Sequence, residues 1–276
     1  MYVDYRMAPD PMVFGTDWHA VSIDAGAGAI FALGENGEAL KISSAGNELE
    51  LIDPPSDGPP DQGPLREIRA IRERVFAVGM GRQAYCRDHL GHWTRVDAGL
   101  LDRSSGMATG LTSICGSADG TLAAVGYRGE IWEFTEHWQR LSSPSNLLLT
   151  HVTEHNAILY ASGILGLLIR REKAGWAIVD TAPLAHDIWD IESFDGRLYC
   201  GTSNGLFVMD EDGDLSEVAA LRELGQLQCS SLSAGFGRLW CFGGERVSVT
   251  EDGLMWRSMP VLDVPERREM PSGGDA

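Results

Sequence analysis

The sequence predicts an all-β fold, a six-bladed β-propeller built from four-stranded antiparallel blades. Three observations lead to this prediction. A pattern of strand-length pieces separated by tight turns recurs six times along the 276 residues. Each copy contains an apolar run that ends in glycine, and these glycines are Gly34, Gly79, Gly126, Gly163, Gly201 and Gly243. A repeat of roughly 40 residues with several short strands per copy is typical of a propeller.

Each copy opens with alternating polar and apolar residues, the period-2 signal of a strand. These openings begin at Trp18, Arg66, Leu111, Leu149, Ile188 and Cys229. They are the predicted innermost strands. A short turn of Gly, Asp or Asn then leads into the apolar second strand, since these residues tolerate hairpin geometry.

A glycine-rich turn separates the second strand from the third. In four copies the fourth strand begins with tryptophan, at Trp93, Trp138, Trp176 and Trp256. The space between blades widens away from the axis, so we expect these rings to fill it.

The propeller domain is predicted over residues 18–260 as a single unit. Residues 1–17 form an N-terminal arm that can add an edge strand, and residues 261–276 form a flexible C-terminal tail. Two connections between blades, 53–64 and 98–110, are longer than the repeat requires. Both should emerge on one face of the propeller, where functional residues favour loops held by a rigid scaffold.

Charge and cysteine content restrict the partners and the compartment. The chain has 40 acidic and 22 basic residues, a net charge of −18. This surface repels nucleic acids and anionic membranes and attracts a basic protein. No apolar run is long enough to span a membrane, and the start does not resemble a secretory signal. The odd count of five cysteines predicts free thiols in a reducing compartment, the cytoplasm.

The turns between third and fourth strands carry a motif known from other propellers. Thr250, Asp252, Gly253 and Trp256 follow the pattern Ser/Thr-x-Asp-x-Gly-x-x-Trp, with one residue fewer than usual. Distorted versions stand at Asp88, Gly91 and Trp93 and at Asp212 and Gly213. These copies resemble the Asp-box repeats of the BNR and sialidase type, and the resemblance spans residues 18–260. It implies the propeller architecture and no particular activity. The WD-repeat propeller is the nearest alternative, but its Trp-Asp pair is absent from the strand ends.

Other motifs fit turns better than active sites. Gly201, Ser203 and Gly205 match a Gly-x-Ser-x-Gly nucleophile pattern, which requires a strand-to-helix elbow rather than a turn between two strands. The acidic run at residues 210–214 lacks the glycine and the final glutamate of a calcium loop. The histidine pairs 89/92 and 151/155 have no third zinc ligand nearby. We therefore predict no catalytic residue, metal or cofactor.

The function predicted from these features is a non-enzymatic binding module that acts as a monomer on a basic protein. An acidic immunity protein that neutralises a bacterial toxin fits this description. The predicted partner-binding residues are Trp18, His19, Asp57, Asp61, Glu67, Asp102, Arg103, Asp187 and Trp189. The alternative is a glycan-acting hydrolase or lyase with its site at the channel mouth. Residues 5–9 faintly resemble the start of sialidases, but the predicted innermost strands offer Arg66 and Arg69 from one copy only, where a sialidase needs an arginine triad around the channel.

Overall fold

The structure confirms the predicted propeller. It is a computed structural model that describes residues 16–52, 58–100, 109–182, 184–244 and 246–259. These residues form six four-stranded antiparallel sheets, each made of four consecutive strands. The predicted arm lies almost wholly, and the predicted tail wholly, outside the described residues.

The strands are numbered in chain order, four to a blade. Blade 1 contains β1 (Ala20–Gly26), β2 (Ala29–Gly34), β3 (Glu38–Ser43) and β4 (Gly46–Leu51). Blade 2 contains β5 (Leu65–Ile71), β6 (Arg74–Gly79), β7 (Ala84–Arg87) and β8 (Trp93–Arg95). Blade 3 contains β9 (Leu111–Gly116), β10 (Leu122–Gly126), β11 (Ile131–Phe134) and β12 (Trp138–Leu141). Blade 4 contains β13 (Leu149–His155), β14 (Ile158–Gly163), β15 (Leu168–Glu172) and β16 (Gly175–Ile178). Blade 5 contains β17 (Ile188–Phe194), β18 (Arg197–Thr202), β19 (Gly205–Met209) and β20 (Leu215–Glu217). Blade 6 contains β21 (Ser231–Gly235), β22 (Arg238–Gly243), β23 (Arg246–Thr250) and β24 (Trp256–Met259).

Helical structure is short and lies between the strands. Helix α1 (Pro59–Gln62) belongs to the connection from blade 1 to blade 2, and helix α2 (Ala219–Glu223) to the connection from blade 5 to blade 6. A 3-10 turn, Tyr127–Gly129, joins β10 to β11. The first strands of consecutive blades lie against one another and line the central channel, as the alternating openings predicted.

The repeated glycines mark places where another segment crosses the second strand. A Cβ on Gly163 would lie 2.5 Å from the carbonyl oxygen of Leu148, and one on Gly201 would lie 2.7 Å from that of Cys229. Gly126 and Gly243 are approached even more closely by Gly110 and Gln228. The incoming connection of the same or the next blade therefore leaves no room for a side chain, which explains why the sequence returns to glycine there.

Among the described residues, buried apolar side chains form five clusters, each between two consecutive blades. The tryptophans that open the fourth strands contribute as predicted. Trp138 packs with side chains of blade 2, and its Nε1–H donates to the Val96 carbonyl oxygen at 2.6 Å. Trp176 packs against blade 3 and Trp256 against blade 5. Each ring thus joins its own blade to the preceding one.

The prediction of five free cysteines is wrong in this structure. Cys229 and Cys241 form a disulfide with a Cα–Cα separation of 5.8 Å, within the range that a disulfide can bridge. Cys86, Cys115 and Cys200 are free thiols. The two bonded cysteines meet because β21 and β22 form a hairpin, which brings the segment before β21 beside the end of β22.

The turn at Asp252 has the hydrogen bonds that its sequence motif requires. The Asp252 carboxylate accepts from the backbone N–H groups of Leu254 and Met255, both at 2.8 Å. The Trp256 indole donates to the Gly253 carbonyl oxygen at 3.3 Å. A capped turn of this kind holds the ring at the start of β24 against blade 5.

Candidate partner-binding face

One face of the propeller carries the turns between second and third strands together with the connections between blades. We call it the upper face. Backbone hydrogen bonds join the two sets of loops: Tyr127 N–H donates to Gly110 at 3.0 Å, Ile164 N–H to Leu148 at 3.1 Å, and Cys229 N–H to Thr202 at 2.9 Å. Of the two long connections, the ends at Pro64 and Gly110 reach this face.

Trp189 owes its position on the upper face to a β-bulge. In β17, Ile188 pairs with Thr202 and Asp190 with Gly201, so Trp189 between them has no partner residue. A bulge bends the strand and redirects a side chain. Ile188 and Asp190 are buried, whereas Trp189 is 39% exposed. Its Nε1–H donates to the Ser203 hydroxyl at 2.7 Å, which fixes the ring at the channel mouth.

Other side chains of the connections and turns of blades 4 to 6 lie on the same face. Leu165 N–H donates to the Asp187 carboxylate at 2.8 Å, and the Leu165 side chain is 66% exposed. The Asn204 amide and the His186 ring lie 3.1 Å apart. Leu227 is also exposed, two residues before Cys229. We call the set Leu165, His186, Asp187, Trp189, Asn204 and Leu227 the Trp189 patch.

The remaining predicted partner-binding residues are more scattered. Trp18 is half-buried against Gly34, His19 is exposed, and Asp61 is exposed in the first turn of α1. Asp57, Asp102 and Arg103 lie outside the described residues.

Glu67 is buried in the channel wall rather than on the rim. One of its carboxylate oxygens accepts from Ile114 N–H at 2.6 Å, and the other from the Ser113 hydroxyl at 3.2 Å and Arg69 at 3.0 Å. This arrangement recurs from blade to blade. The Ser22 hydroxyl accepts from Ile68 N–H, and the Asp190 carboxylate accepts from Leu232 N–H. A polar residue directly after each bulge thus ties one innermost strand to the next.

An ionic network occupies the channel, and sequence reasoning did not find it. Arg69 Nη2 lies 2.5 Å from His151 Nε2, and His151 Nδ1 contacts the Asp190 carboxylate. Asp24 accepts from Ala70 N–H at 2.7 Å. A signal was available, because polar residues stand at the same position of successive innermost strands: Ser22, Glu67, Ser113, His151 and Asp190.

Burial governs the acid–base properties of the channel. It raises the pKa of Glu192 to about 7, although the charge of Arg69 opposes this, and it raises the pKa of Asp24 above its ordinary value. Burial also raises the pKa of Cys115 to about 11, so this thiol stays protonated near neutral pH. The network can hold blades together, because its charged groups come from different blades and are bonded to one another.

The candidate chemical motifs lie in turns. Ser203 belongs to the turn between β18 and β19, and its hydroxyl accepts from Trp189. In the acidic run, the Asp210 carboxylate accepts from the N–H groups of Asp212 and Asp214, a closed hairpin turn. Within the described part of the chain, no cluster of three His, Cys, Asp or Glu side chains is arranged to hold a metal ion. Among the same residues, no helix is long and apolar enough to cross a membrane.

Solved structures support the architecture. A catalytically inactive variant of virginiamycin B lyase from Staphylococcus aureus, with Quinupristin, superposes with a TM-score of 0.67 at 11% identity, covering 93% of this chain and 86% of that one. YCF48 bound to D1 peptide gives a TM-score of 0.64 at 14% identity, covering 87% and 81%. At these identities the likeness shows the fold alone. No family model matches the chain.

The fold defines a six-bladed β-propeller protein. The immune protein Tsi7 of Pseudomonas aeruginosa is 30% identical to this chain over 227 residues, covering 81% of the chain and 73% of that protein. The chain therefore belongs to the family of this immune protein. The sequence-based prediction of an immunity protein is confirmed at this level.

Proposed function

We propose that the chain neutralises a bacterial toxin by binding it on the upper face, without catalysing a reaction. The observation that carries this proposal is the relationship to an immune protein over four-fifths of the chain. The Trp189 patch supports the choice of face. It combines a held aromatic ring with exposed leucines and polar neighbours, the composition of a protein–protein interface.

The partner we propose is a basic protein. The net charge of −18 supports fast, electrostatically steered association with a positive surface. Asp57, Asp61 and Asp102 are the proposed rim charges, and Arg103, Trp18 and His19 the proposed additional contacts. Neutralising the three aspartates together should slow association, and raising the salt should weaken it. Glu67 does not belong to this surface, because it is buried in the channel wall.

The channel supports a structural role rather than catalysis. The carboxylates of Glu67 and Asp190 each accept a hydrogen bond from a backbone N–H of the next blade, and His151 contacts Asp190. A hydrolase or lyase acting on a glycan would need polar groups there that are available to a substrate. We therefore propose no catalytic residue. The turn at Asp252 also supports kinship with the Asp-box propellers, and we propose that relationship for the repeat.

We propose that the protein acts in the cytoplasm as a monomer before it meets its partner. Thiol-reducing systems in that compartment would keep the cysteines reduced. The size of a six-bladed ring is consistent with a single chain that folds by itself.

The test begins with capture of the partner from the native host. The captured protein is expressed in a test strain with and without this chain, and growth is measured. We expect the captured protein alone to stop growth and the chain to restore it. A captured protein that is harmless, or whose toxicity this chain does not relieve, would contradict the proposed function.

Binding kinetics then test the face. Trp189→Ala should raise the dissociation rate about 30-fold, as expected of a buried anchor worth about 2 kcal/mol. Leu165→Ala should weaken binding, whereas Leu254→Ala should not. The two leucines are matched in exposure, 66% and 64%, but Leu254 lies in the turn before β24 on the opposite face. Equal effects of the two leucine substitutions would contradict the upper face as the binding surface.

A further inference from the structure

The junction between blade 6 and blade 1 differs from the other junctions of the ring. The five apolar clusters lie between consecutive blades from blade 1 to blade 6, so none of them lies between blade 6 and blade 1. The first strands of those consecutive blades lie against one another, whereas β21 and β1 make no comparable contact in the described part of the chain. We call the junction of blade 6 with blade 1 the seam.

Equivalent side chains show that the inner part of the seam is loosely packed. In blades 2 to 6, the innermost strand carries a buried apolar residue that packs in the cluster shared with the preceding blade: Ile68, Ile114, Val152, Ile191 and Leu232. In blade 1 this position belongs to Ile23, which follows Ser22 as Ile68 follows Glu67. Ile23 is only partly buried, and no residue of β1 is fully buried. The preceding blade, blade 6, therefore covers β1 incompletely.

The outer part of the seam is more open still. Four blades have a tryptophan in the fourth strand that packs on the preceding blade, but β4 of blade 1 has none. Glu50 of β4 bonds to Arg87 of blade 2, so the alternate residues Leu49 and Leu51 lie on the opposite face of the sheet, toward blade 6. These two leucines are 62% and 59% exposed. Blade 1 thus presents an uncovered apolar edge to the seam.

The facing wall belongs to blade 6. One face of this sheet packs on blade 5 through Leu239 and Trp256. The register of the strands places Phe242, Val247 and Met259 side by side on the other face, toward blade 1, and all three are partly exposed. The seam is therefore a groove with two apolar walls, and an exposed apolar surface of this kind favours a bound segment.

We infer that residues 1–15 of this chain bind in the seam and close the ring. They join the described chain at Thr16, and Trp18 lies against Gly34 at the upper end of blade 1, so the segment begins beside the groove. Fifteen residues span up to about 50 Å when extended, well over the roughly 20 Å of a blade strand. The segment can therefore follow the whole groove. This inference does not depend on the proposed function.

The sequence of residues 1–15 suits apolar walls. Val3, Tyr5 and Met7 alternate with Asp4 and Arg6, the pattern of a strand that buries one face. The other end of the chain, residues 260–276, leaves blade 6 after Met259 at the same junction. It carries six charged residues against three in residues 1–15. Burial of charged groups is costly, so the N-terminal segment is the better occupant.

The experiment is photo-cross-linking of the full chain. Leu49 is replaced by p-benzoylphenylalanine, the purified protein is irradiated, and the cross-linked peptides are identified by mass spectrometry. We expect Leu49 to cross-link to a peptide from residues 1–15 of the same molecule. Ile178 is the matched control, because it lies on the outermost strand of blade 4 and is 59% exposed. The same cross-linker at Ile178 should not reach residues 1–15.

Substitutions within the segment then test whether its apolar face is what binds. Val3→Asp together with Tyr5→Asp should reduce the Leu49 cross-link about 10-fold or more, because a carboxylate without a partner is costly to bury. Asp4→Asn together with Arg6→Gln alters the other face and should leave the cross-link unchanged. Thermal melts confirm that both variants fold.

Four results would overturn the inference. Cross-links from Leu49 to residues 260–276 would place the other end of the chain in the groove, and a covalent dimer would place a second copy there. Equal cross-linking of Leu49 and Ile178 to residues 1–15, or no cross-link from Leu49 to any peptide, would show that the groove holds no fixed segment. All of these measurements are made without a toxin, so their failure is distinguishable from failure of the proposed function.

Discussion

Single ion pairs between blades are buried deeply enough to matter for stability. Arg82 and Glu130 form a bidentate pair across blades 2 and 3 and are both almost fully buried. Removing one member of a buried pair leaves an uncompensated charge, which costs about 3–5 kcal/mol. We expect Arg82→Met to lower the free energy of unfolding by that amount, measured by urea denaturation at pH 7.

The exposed pair Arg170–Glu172 provides the control for this prediction. Exposed pairs contribute between about 0 and 1 kcal/mol, so Arg170→Met should change stability little. Burial would raise the pKa of Glu130, but hydrogen bonds from Arg82 and Trp132 outweigh it and lower the pKa. The contribution of the Arg82 pair is therefore present above the ordinary carboxyl pKa and lost as pH falls through the lower folded value. Equal losses in Arg82→Met and Arg170→Met would refute the assignment.

Glu192 should make stability depend on pH in the opposite sense. Burial raises its pKa from 4.5 to about 7, with Arg69, His151 and Asp190 as its charged neighbours. The folded protein then binds the proton more tightly than the unfolded chain. The stability that the folded protein gains from the protonated Glu192 carboxyl is complete below pH 4.5 and is lost as pH rises through about 7. Glu192→Gln imitates the protonated group, so we expect it to raise the melting temperature at pH 8 and to change it little at pH 4.5.

Glu211→Gln is the matched control for the channel carboxyl, because Glu211 is exposed in a hairpin turn. Thermal melts across pH 4.5 to 8 compare the two variants with the parent chain. A gain for Glu192→Gln that is the same at every pH would mean that ionisation of this group is not responsible.

At the scale of elements, the glycines that end the second strands should tolerate no side chain. A Cβ on Gly126 would overlap the Gly110 carbonyl oxygen, whereas one on Gly235 would meet nothing within 4 Å. Overpacking of this kind costs about 1–3 kcal/mol. We expect Gly126→Ala to be destabilised by about that amount in urea unfolding and Gly235→Ala to remain near the parent. Similar stability of the two variants would show that the crossing connection can move aside.

The elements themselves could be predicted because each follows from a local pattern. Alternating polar and apolar residues predicted the innermost strands, and apolar runs predicted the second strands. The tryptophans that open the fourth strands predicted contacts between blades. Contacts between distant segments could not be read in this way. The pairing of Arg69 with His151 joins residues 82 positions apart, and it depends on the register of strands in blades 2 and 4. The Cys229–Cys241 bond likewise depends on how a hairpin and the connection before it pack.

The predicted partner-binding residues differ in the same way: a local pattern selected them, but the register of the strands decides where their side chains lie. Trp189 and Asp187 were selected as residues at the start of an innermost strand, and the structure places both on the upper face. Glu67 was selected by the same rule, yet it is buried. The difference lies in the bulge: Trp189 is the unpaired residue, while Glu67 follows the unpaired Arg66 and turns into the wall. A one-residue shift decides the face on which a side chain lies.

At the scale of the whole molecule, each blade is built from one continuous segment of the chain, because every sheet consists of four consecutive strands. Within the described residues, no strand from one end of the chain completes a blade at the other. The ring therefore depends on side-chain packing between blades and on the polar links between innermost strands. Such a scaffold holds the described turns between second and third strands in fixed positions relative to one another.

The redox state of the molecule gives the last prediction. The structure joins Cys229 to Cys241 and leaves three thiols, whereas a protein acting in the cytoplasm should keep all five reduced. Protein trapped with an alkylating agent in the cytoplasm of its host should therefore carry five labels after unfolding. Protein oxidised in air should carry three, and Cys229→Ser should carry four under both conditions. Five labels after oxidation would contradict the bond, and three labels in trapped protein would contradict the cytoplasmic proposal.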